Sequence, residues 1–85
     1  MAKRILVAAM HKPEEALRIA TGLTLADAAL RVATWGPVPG GDEAQVQLDA
    51  LQFAEVPIDA LTADDGARWL ELARRIVDSD IVYCV

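Results

Sequence analysis

Short runs of apolar residues that alternate with helix-like segments constrain the fold of this chain more than any other feature. The first run, RILVAAM at 4–10, is apolar after its arginine, which is typical of a strand buried on both faces of a sheet. Pro13 then stands where a helix can begin without losing a hydrogen bond. Apolar residues follow at helical spacing, at Ala16, Ile19, Ala20 and Leu23. We expect this helix to end near Asp27, and Gly22 within it predicts close packing against a neighbour.

The same alternation continues along the rest of the chain. The later predicted elements are, in order, a strand at 29–35, a helix at about 42–53, a strand at 55–59, a helix at about 63–78 and a strand at 80–85. Apolar residues at helical spacing predict the inner sides of the two later helices: Ala44, Leu48 and Leu51 on the second, and Trp69, Leu72, Ala73 and Ile76 on the third. The strand at 55–59 is the weakest, because Pro57 lacks the N–H that a sheet ladder needs. This strand therefore suits the edge of a sheet or a bulge.

Alternating strands and helices predict the fold class. Such elements pair their strands in parallel through right-handed crossovers. Four strands and three helices therefore predict one α/β domain over residues 1–85, a small three-layer sandwich around a four-stranded parallel sheet. The simplest strand order is 2-1-3-4, as in flavodoxin-like folds.

The composition excludes several kinds of site. The 85-residue chain has one serine, one histidine and one cysteine (Ser79, His11 and Cys84). A single cysteine cannot form a disulfide framework or a cysteine-rich zinc site within one chain, and one histidine with one cysteine is an incomplete metal-ligand set. Neither GxGxxG nor GxxxxGK[ST] occurs, which disfavours nucleotide binding. We therefore predict no cofactor and no metal.

The charge argues against polyanionic partners. The net charge is −5, and the acids are concentrated in residues 42–85. An acidic chain without a basic stripe is a poor candidate for binding nucleic acid or an anionic membrane surface. The N-terminal apolar run is too short for a secretory signal or a membrane span, and one unpaired thiol fits a reducing compartment. We expect a soluble cytoplasmic protein.

The carboxyl ends of the predicted strands indicate where a ligand would bind, because open parallel sheets hold their ligands beyond that edge. The candidate ligand-binding residues at this edge are His11, Lys12, Trp35, Gly36 and Thr62. The candidate nucleophile is Cys84, which ends the last strand. A thiol beside an imidazole can act as a reactive thiolate.

Each of these residues also has a structural interpretation. Strands one and four are not neighbours in the order 2-1-3-4, so Cys84 and His11 would lie apart. An unpaired cysteine is more often an inert core residue, and His11 suits a surface loop. Trp35 is more often a packing residue, although at a strand end it can line a pocket. The helix that starts at Pro13 lacks glycines and carries two acids, which disfavours phosphate binding there.

Two segments carry a resemblance to a known family. The strand and Pro-Glu-Glu helix at 4–23, RILVAAMHKPEEALRIATGL, and the helix and strand at 73–85, ARRIVDSDIVYCV, resemble the DsrE/DsrF/DsrH-like (Tus-like) sulfur-relay proteins. The resemblance implies a DsrE-like compact α/β sandwich that commonly assembles into oligomers. It also implies persulfide transfer through a cysteine, often in the loop after the third strand. Here that region, VPIDALTADD at 56–65, has no cysteine, so the resemblance implies a non-catalytic or altered member.

Three functions remain open from the sequence. The first is an oligomeric accessory or binding subunit of a sulfur relay without its own nucleophile, and not an enzyme. The second is a sulfurtransferase or sulfur carrier that uses Cys84. The third is a carrier phosphorylated on His11, which the acidic flank disfavours. A thin core and an apolar excess predict a homo-oligomer, and a sulfur-relay protein is a possible second partner.

Overall fold

Strands and helices alternate along the chain in the computed structural model, which describes residues 3–25, 28–62 and 64–85. The elements are β1 (Lys3–Ala9), α1 (Pro13–Leu23), β2 (Ala28–Trp35), α2 (Asp42–Phe53), β3 (Ile58–Leu61), α3 (Asp65–Val77) and β4 (Ile81–Cys84). The predicted succession of elements is confirmed. The predicted end of the first helix at Asp27 and the predicted start of the third at Ala63 lie outside the described residues.

All four strands pair in parallel in one sheet, in the order β3-β2-β1-β4. The predicted α/β fold class is confirmed, and the predicted order 2-1-3-4 is wrong. Both orders are compatible with right-handed crossovers, so that rule alone could not separate them. The observed order places β1, which is buried from Ile5 to Ala9, at a central position.

The weak third strand is an edge strand, which explains the observed order. β3 begins at Ile58, after Pro57, and only its last residue, Leu61, is buried. The carbonyl of Pro57 still accepts a hydrogen bond from the Val32 amide at 2.9 Å. A strand with one buried residue and a preceding proline cannot occupy the interior position that the order 2-1-3-4 assigns to it.

Each face of the sheet has its own core, so the molecule has three layers. Helices α1 and α2 cover one face, where Leu17 and Leu51 pack on Val7 and Val32 of the central strands. Helix α3 covers the other face, where Leu72 packs with a smaller group: Leu6, Ala8, Ala33 and Leu61. The predicted three-layer sandwich is therefore confirmed, with two helices on one side and one on the other.

Local features explain two helix boundaries. Pro13 opens α1, with Glu14 and Glu15 in the first turn, where negative charge suits the helix dipole. Asp64 caps α3, because its carboxylate accepts a hydrogen bond from the Ala67 amide at 3.0 Å. The prediction for Gly22 is wrong, since this exposed helical residue has no atom within 4 Å of the position where a Cβ would lie.

Across the described ranges, no helix is both long enough and apolar enough to span a membrane.

Candidate functional site at the carboxyl edge of the sheet

Pairing between β1 and β4 brings together the ends of the first and last strands. Ala8 is in register with Cys84, and the Val85 amide donates to the Ala8 carbonyl at 2.9 Å. The expectation that Cys84 and His11 lie on non-neighbouring strands is therefore wrong. The reason is the crossover of α3, which carries the chain from β3 past β2 and β1 before β4 joins the sheet.

The loop between β1 and α1 closes on the end of β4. The main-chain oxygen of Val85 accepts hydrogen bonds from three successive amides, those of Met10 at 2.7 Å, His11 at 2.9 Å and Lys12 at 3.5 Å. These amides immediately precede the first turn of α1. The end of β4 therefore lies directly beside the start of α1.

Cys84 is exposed, contrary to the expectation of a buried core residue. The sheet face that it shares with Ala8 and Val82 is the one covered by α3, but β4 is an edge strand and its last residues extend beyond that cover. An accessible thiol can reach a partner in solution. This accessibility is a requirement for sulfur exchange, which proceeds by thiolate attack.

His11 and Lys12 place an imidazole and an ammonium group on the surface of the same corner. Both residues are exposed. Within the part of the chain that the structure describes, neither side chain takes part in a hydrogen bond or an ion pair. The β1–β4 pairing thus collects three of the six candidate residues, His11, Lys12 and Cys84, at one corner of the sheet.

The other candidates lie at the neighbouring ends of β2 and β3. Gly36 is buried, its amide donates to the Leu61 carbonyl at 3.1 Å, and its carbonyl accepts from the Thr34 hydroxyl at 2.8 Å. Its φ of 106° lies in the region that favours glycine. Gly36 therefore has a structural role, because its backbone connects the ends of β2 and β3. Thr62 is exposed just beyond Leu61.

Trp35 belongs to an aromatic cluster on the face covered by α3. Its ring centroid lies 4.5 Å from that of Trp69, with the planes at 49°, and the guanidinium carbon of Arg68 lies 4.6 Å from the centroid of the Trp35 ring. Both contacts are of stabilising types, a tilted aromatic pair and a cation over a ring. The interpretation of Trp35 as a packing residue is the one that this geometry favours.

Arg68 and Trp69 were not predicted as residues of this edge. A usable signal was present. In a parallel α/β fold the helix after a strand begins at the carboxyl edge, so the first turn of α3 had to lie beside the end of β3. The candidates thus form two groups, one at β1 and β4 and the other at β2 and β3.

Four grooves among the described residues lie away from these two groups. A groove of about 490 Å³ borders the C-terminal half of α3, and one of about 220 Å³ separates α1 from α2. Two further grooves, of about 310 and 100 Å³, lie at the amino ends of the strands. None of these four is lined by His11, Trp35 or Cys84.

Among the described residues, no three His, Cys, Asp or Glu side chains come together in a way that could hold a metal ion. Comparisons of the chain with family models, with curated proteins and with solved structures each found no match.

Proposed function

We propose that the protein is a small accessory subunit of a cytoplasmic sulfur relay, which acts by binding other protein chains and does not itself catalyse sulfur transfer. The observation that carries this proposal is the apolar surface of α3. Four large apolar side chains of this helix are exposed: Trp69, Leu70, Ile76 and Val77. Several large apolar side chains exposed on one helix are a feature of interaction sites.

The amphipathic pattern of α3 strengthens this reading. Leu72 is the buried apolar anchor of the helix, whereas Leu70 and Val77 lie on the opposite side, because residues advance by about 100° each around a helix. A helix that only covers its own sheet needs one apolar side. The second apolar side of α3 is therefore available to another chain.

The link to sulfur relay rests on the sequence resemblance. The segment at 56–65, where the resemblance places the transferring cysteine of active members, contains none. Thr62 and Asp64 of this segment are exposed, and Asp64 serves as the cap of α3. The absence of a nucleophile from this segment favours an accessory role within an assembly.

The proposal is tested by isolating the tagged chain from its source cells. We expect a second chain to co-purify in a fixed ratio and to carry a persulfide that mass spectrometry detects. The Leu70→Asp/Val77→Asp variant should lose that chain, whereas Cys84→Ala should retain it. A persulfide found on Cys84 alone, with no companion chain that depends on Leu70 and Val77, would exclude the accessory role.

A second candidate function, a sulfur carrier that uses Cys84, is favoured by the exposure of this residue beside the end of β1. In that reaction the Cys84 thiolate attacks the outer sulfur of a donor persulfide. The new sulfur–sulfur bond leaves a persulfide on Cys84, and the donor departs as a thiolate, so no external oxidant is required.

Sulfur loading separates the two candidates. The purified chain is incubated with a small-molecule persulfide donor, and protein-bound outer sulfur is released with a reductant and measured. The carrier predicts stoichiometric sulfur on the wild-type chain and none on Cys84→Ala, with slower loading of His11→Ala. The accessory subunit predicts no stable loading of either form.

A further inference from the structure

Helices α2 and α3, on opposite sides of the sheet, each carry an exposed stripe of two apolar residues and one charged residue, and the two charges are opposite. On α2 the stripe consists of Val46, Asp49 and Phe53, and on α3 it consists of Leu70, Arg74 and Val77. Phe53 is 93% exposed and Val77 is 85% exposed, and the other two apolar residues are more than half exposed. Asp49 and Arg74 are exposed as well.

Each stripe faces away from the core of its own chain. Around α2, the stripe is opposite the buried Ala44 and Leu51, because residues at intervals of three, four and seven share one side of a helix. Around α3, the stripe is opposite the buried Leu72. The two helices cover different sheet faces, so the stripes of one molecule cannot meet each other.

The spacing of the stripes is complementary when the helices run in opposite directions. The apolar residues are seven positions apart on both helices, which corresponds to about 10.5 Å along the axis. The charge on α2 lies three positions after the first apolar residue, and the charge on α3 lies three positions before the last. An antiparallel alignment therefore opposes Val46 to Val77, Asp49 to Arg74 and Phe53 to Leu70 at the same time.

The charges of the two surfaces are also complementary. Helix α2 carries three acids and no basic residue. The groove beside α3 is lined by Arg31, Arg74 and Arg75, with Ala73, Val77 and Asp78. Within the described residues, Arg31 and Arg74 have no ion-pair partner, whereas Arg75 contacts Asp59 at 3.4 Å. The Asp49 carboxylate accepts one hydrogen bond, from the side-chain amide of Gln45, and retains free acceptor positions.

We propose that the α2 stripe of one copy of this chain packs against the α3 stripe of a second copy. This inference rests on the proposed function: a second copy covers the apolar side of α3 until a companion chain displaces it, so the two compete for Leu70 and Val77. Phe53 is the aromatic anchor that such contacts favour, and the Asp49–Arg74 pair fixes the register. Because the stripes lie on opposite faces, the contact is head-to-tail and builds a ring or an open chain of subunits.

The test uses charge reversal on each side of the contact. Sedimentation and light scattering should show that the wild-type mass rises above that of the 9.1 kDa chain as concentration increases. Arg74→Glu and Asp49→Arg should each weaken association by about tenfold or more, because each opposes like charges. A mixture of these two variants should associate again, since it restores Asp49 opposite Arg74 between unlike chains. The double variant in one chain should also associate.

Matched controls separate the contact from changes in total charge. Lys3→Glu changes the net charge as Arg74→Glu does, and Glu14→Arg changes it as Asp49→Arg does; both residues are exposed and lie outside the stripes. These controls should associate like the wild-type chain. Circular dichroism verifies that every variant is folded.

Two results would overturn the inference. One is a wild-type chain that stays at the mass of a single subunit at every concentration. The other is a mixture of Arg74→Glu and Asp49→Arg that fails to associate although both are folded. If either occurs while a different chain still co-purifies through Leu70 and Val77, then the accessory function stands and its partner is not a second copy.

Discussion

Cys84 is the in-register neighbour of Ala8 across the parallel pair of β1 and β4. Ala8 is buried and Cys84 is exposed, although the two residues lie side by side on the same face of the sheet. The difference arises because β1 is central and β4 is an edge. The position of one strand in the sheet thus decides whether the thiol of this chain can react with a partner.

Cys84 should react with a thiol reagent in the folded protein. We expect complete modification without denaturant, at a rate within about tenfold of that in the unfolded chain, because thiol reactivity follows access and thiolate fraction. Ellman's reagent followed by absorbance checks this, with Cys84→Ala as the blank. Modification that begins only in denaturant would contradict the exposed position.

Replacing leucine with alanine should lower the stability of the protein strongly at one site and hardly at all at another. Leu17→Ala removes a fully buried side chain from the core under α1 and should lower the free energy of unfolding by about 2–5 kcal/mol. Leu25→Ala removes a side chain that is 94% exposed and should change the free energy of unfolding by less than about 0.5 kcal/mol. Urea unfolding followed by circular dichroism measures both. Equal effects would show that the core does not lie where the structure places it.

Replacing glycine with alanine should stabilise the protein at one position and destabilise it at another. Gly22→Ala lies in an exposed helical turn with open space around the new Cβ, so it should stabilise the domain by up to about 1 kcal/mol. Gly36 has a φ of 106°, which strains an alanine, so Gly36→Ala should lower the free energy of unfolding by about 1–3 kcal/mol. Thermal unfolding of the two variants beside the wild type measures the difference, and a stabilising Gly36→Ala would refute the positive φ.

Trp35 and Trp69 should be energetically coupled. A double-mutant cycle with Trp35→Leu and Trp69→Leu should give a coupling free energy of about 0.5–1.5 kcal/mol, the range typical of aromatic pairs. Urea unfolding followed by circular dichroism avoids the loss of tryptophan fluorescence. As a control, Trp35→Leu combined with Leu25→Ala should be additive. Additivity of the two tryptophan changes would mean that the rings do not touch in solution.

The succession of elements could be predicted from local patterns, because buried strands, helical spacing and helix starts are recorded in neighbouring residues. RILVAAM predicted β1, and Ala44, Leu48 and Leu51 predicted the inner side of α2, where all three pack in the core. The inner side of α3 was predicted less well. Of its expected apolar stripe only Leu72 is buried, whereas Trp69, Ala73 and Ile76 are exposed.

The candidate site was predicted only in part. The residues at the strand ends followed from the rule for parallel sheets, and His11 and Thr62 lie where that rule places them. Their grouping did not follow, since it depends on which strands are neighbours. Arg68 was missed because its role arises from a ring on a distant strand.

The amino-acid sequence by itself determined the α/β class, the parallel sheet and the absence of a cysteine at 56–65, since these depend on local periodicity and residue type. The tertiary structure decided the strand order, and through it the exposure of Cys84 and its position beside β1. The physical reason is that strand order minimises the polar and proline-containing strand surface that must be buried. That quantity is a property of the whole sheet, so β3, which follows Pro57 and contains Asp59, takes an edge only when all four strands compete for two central positions.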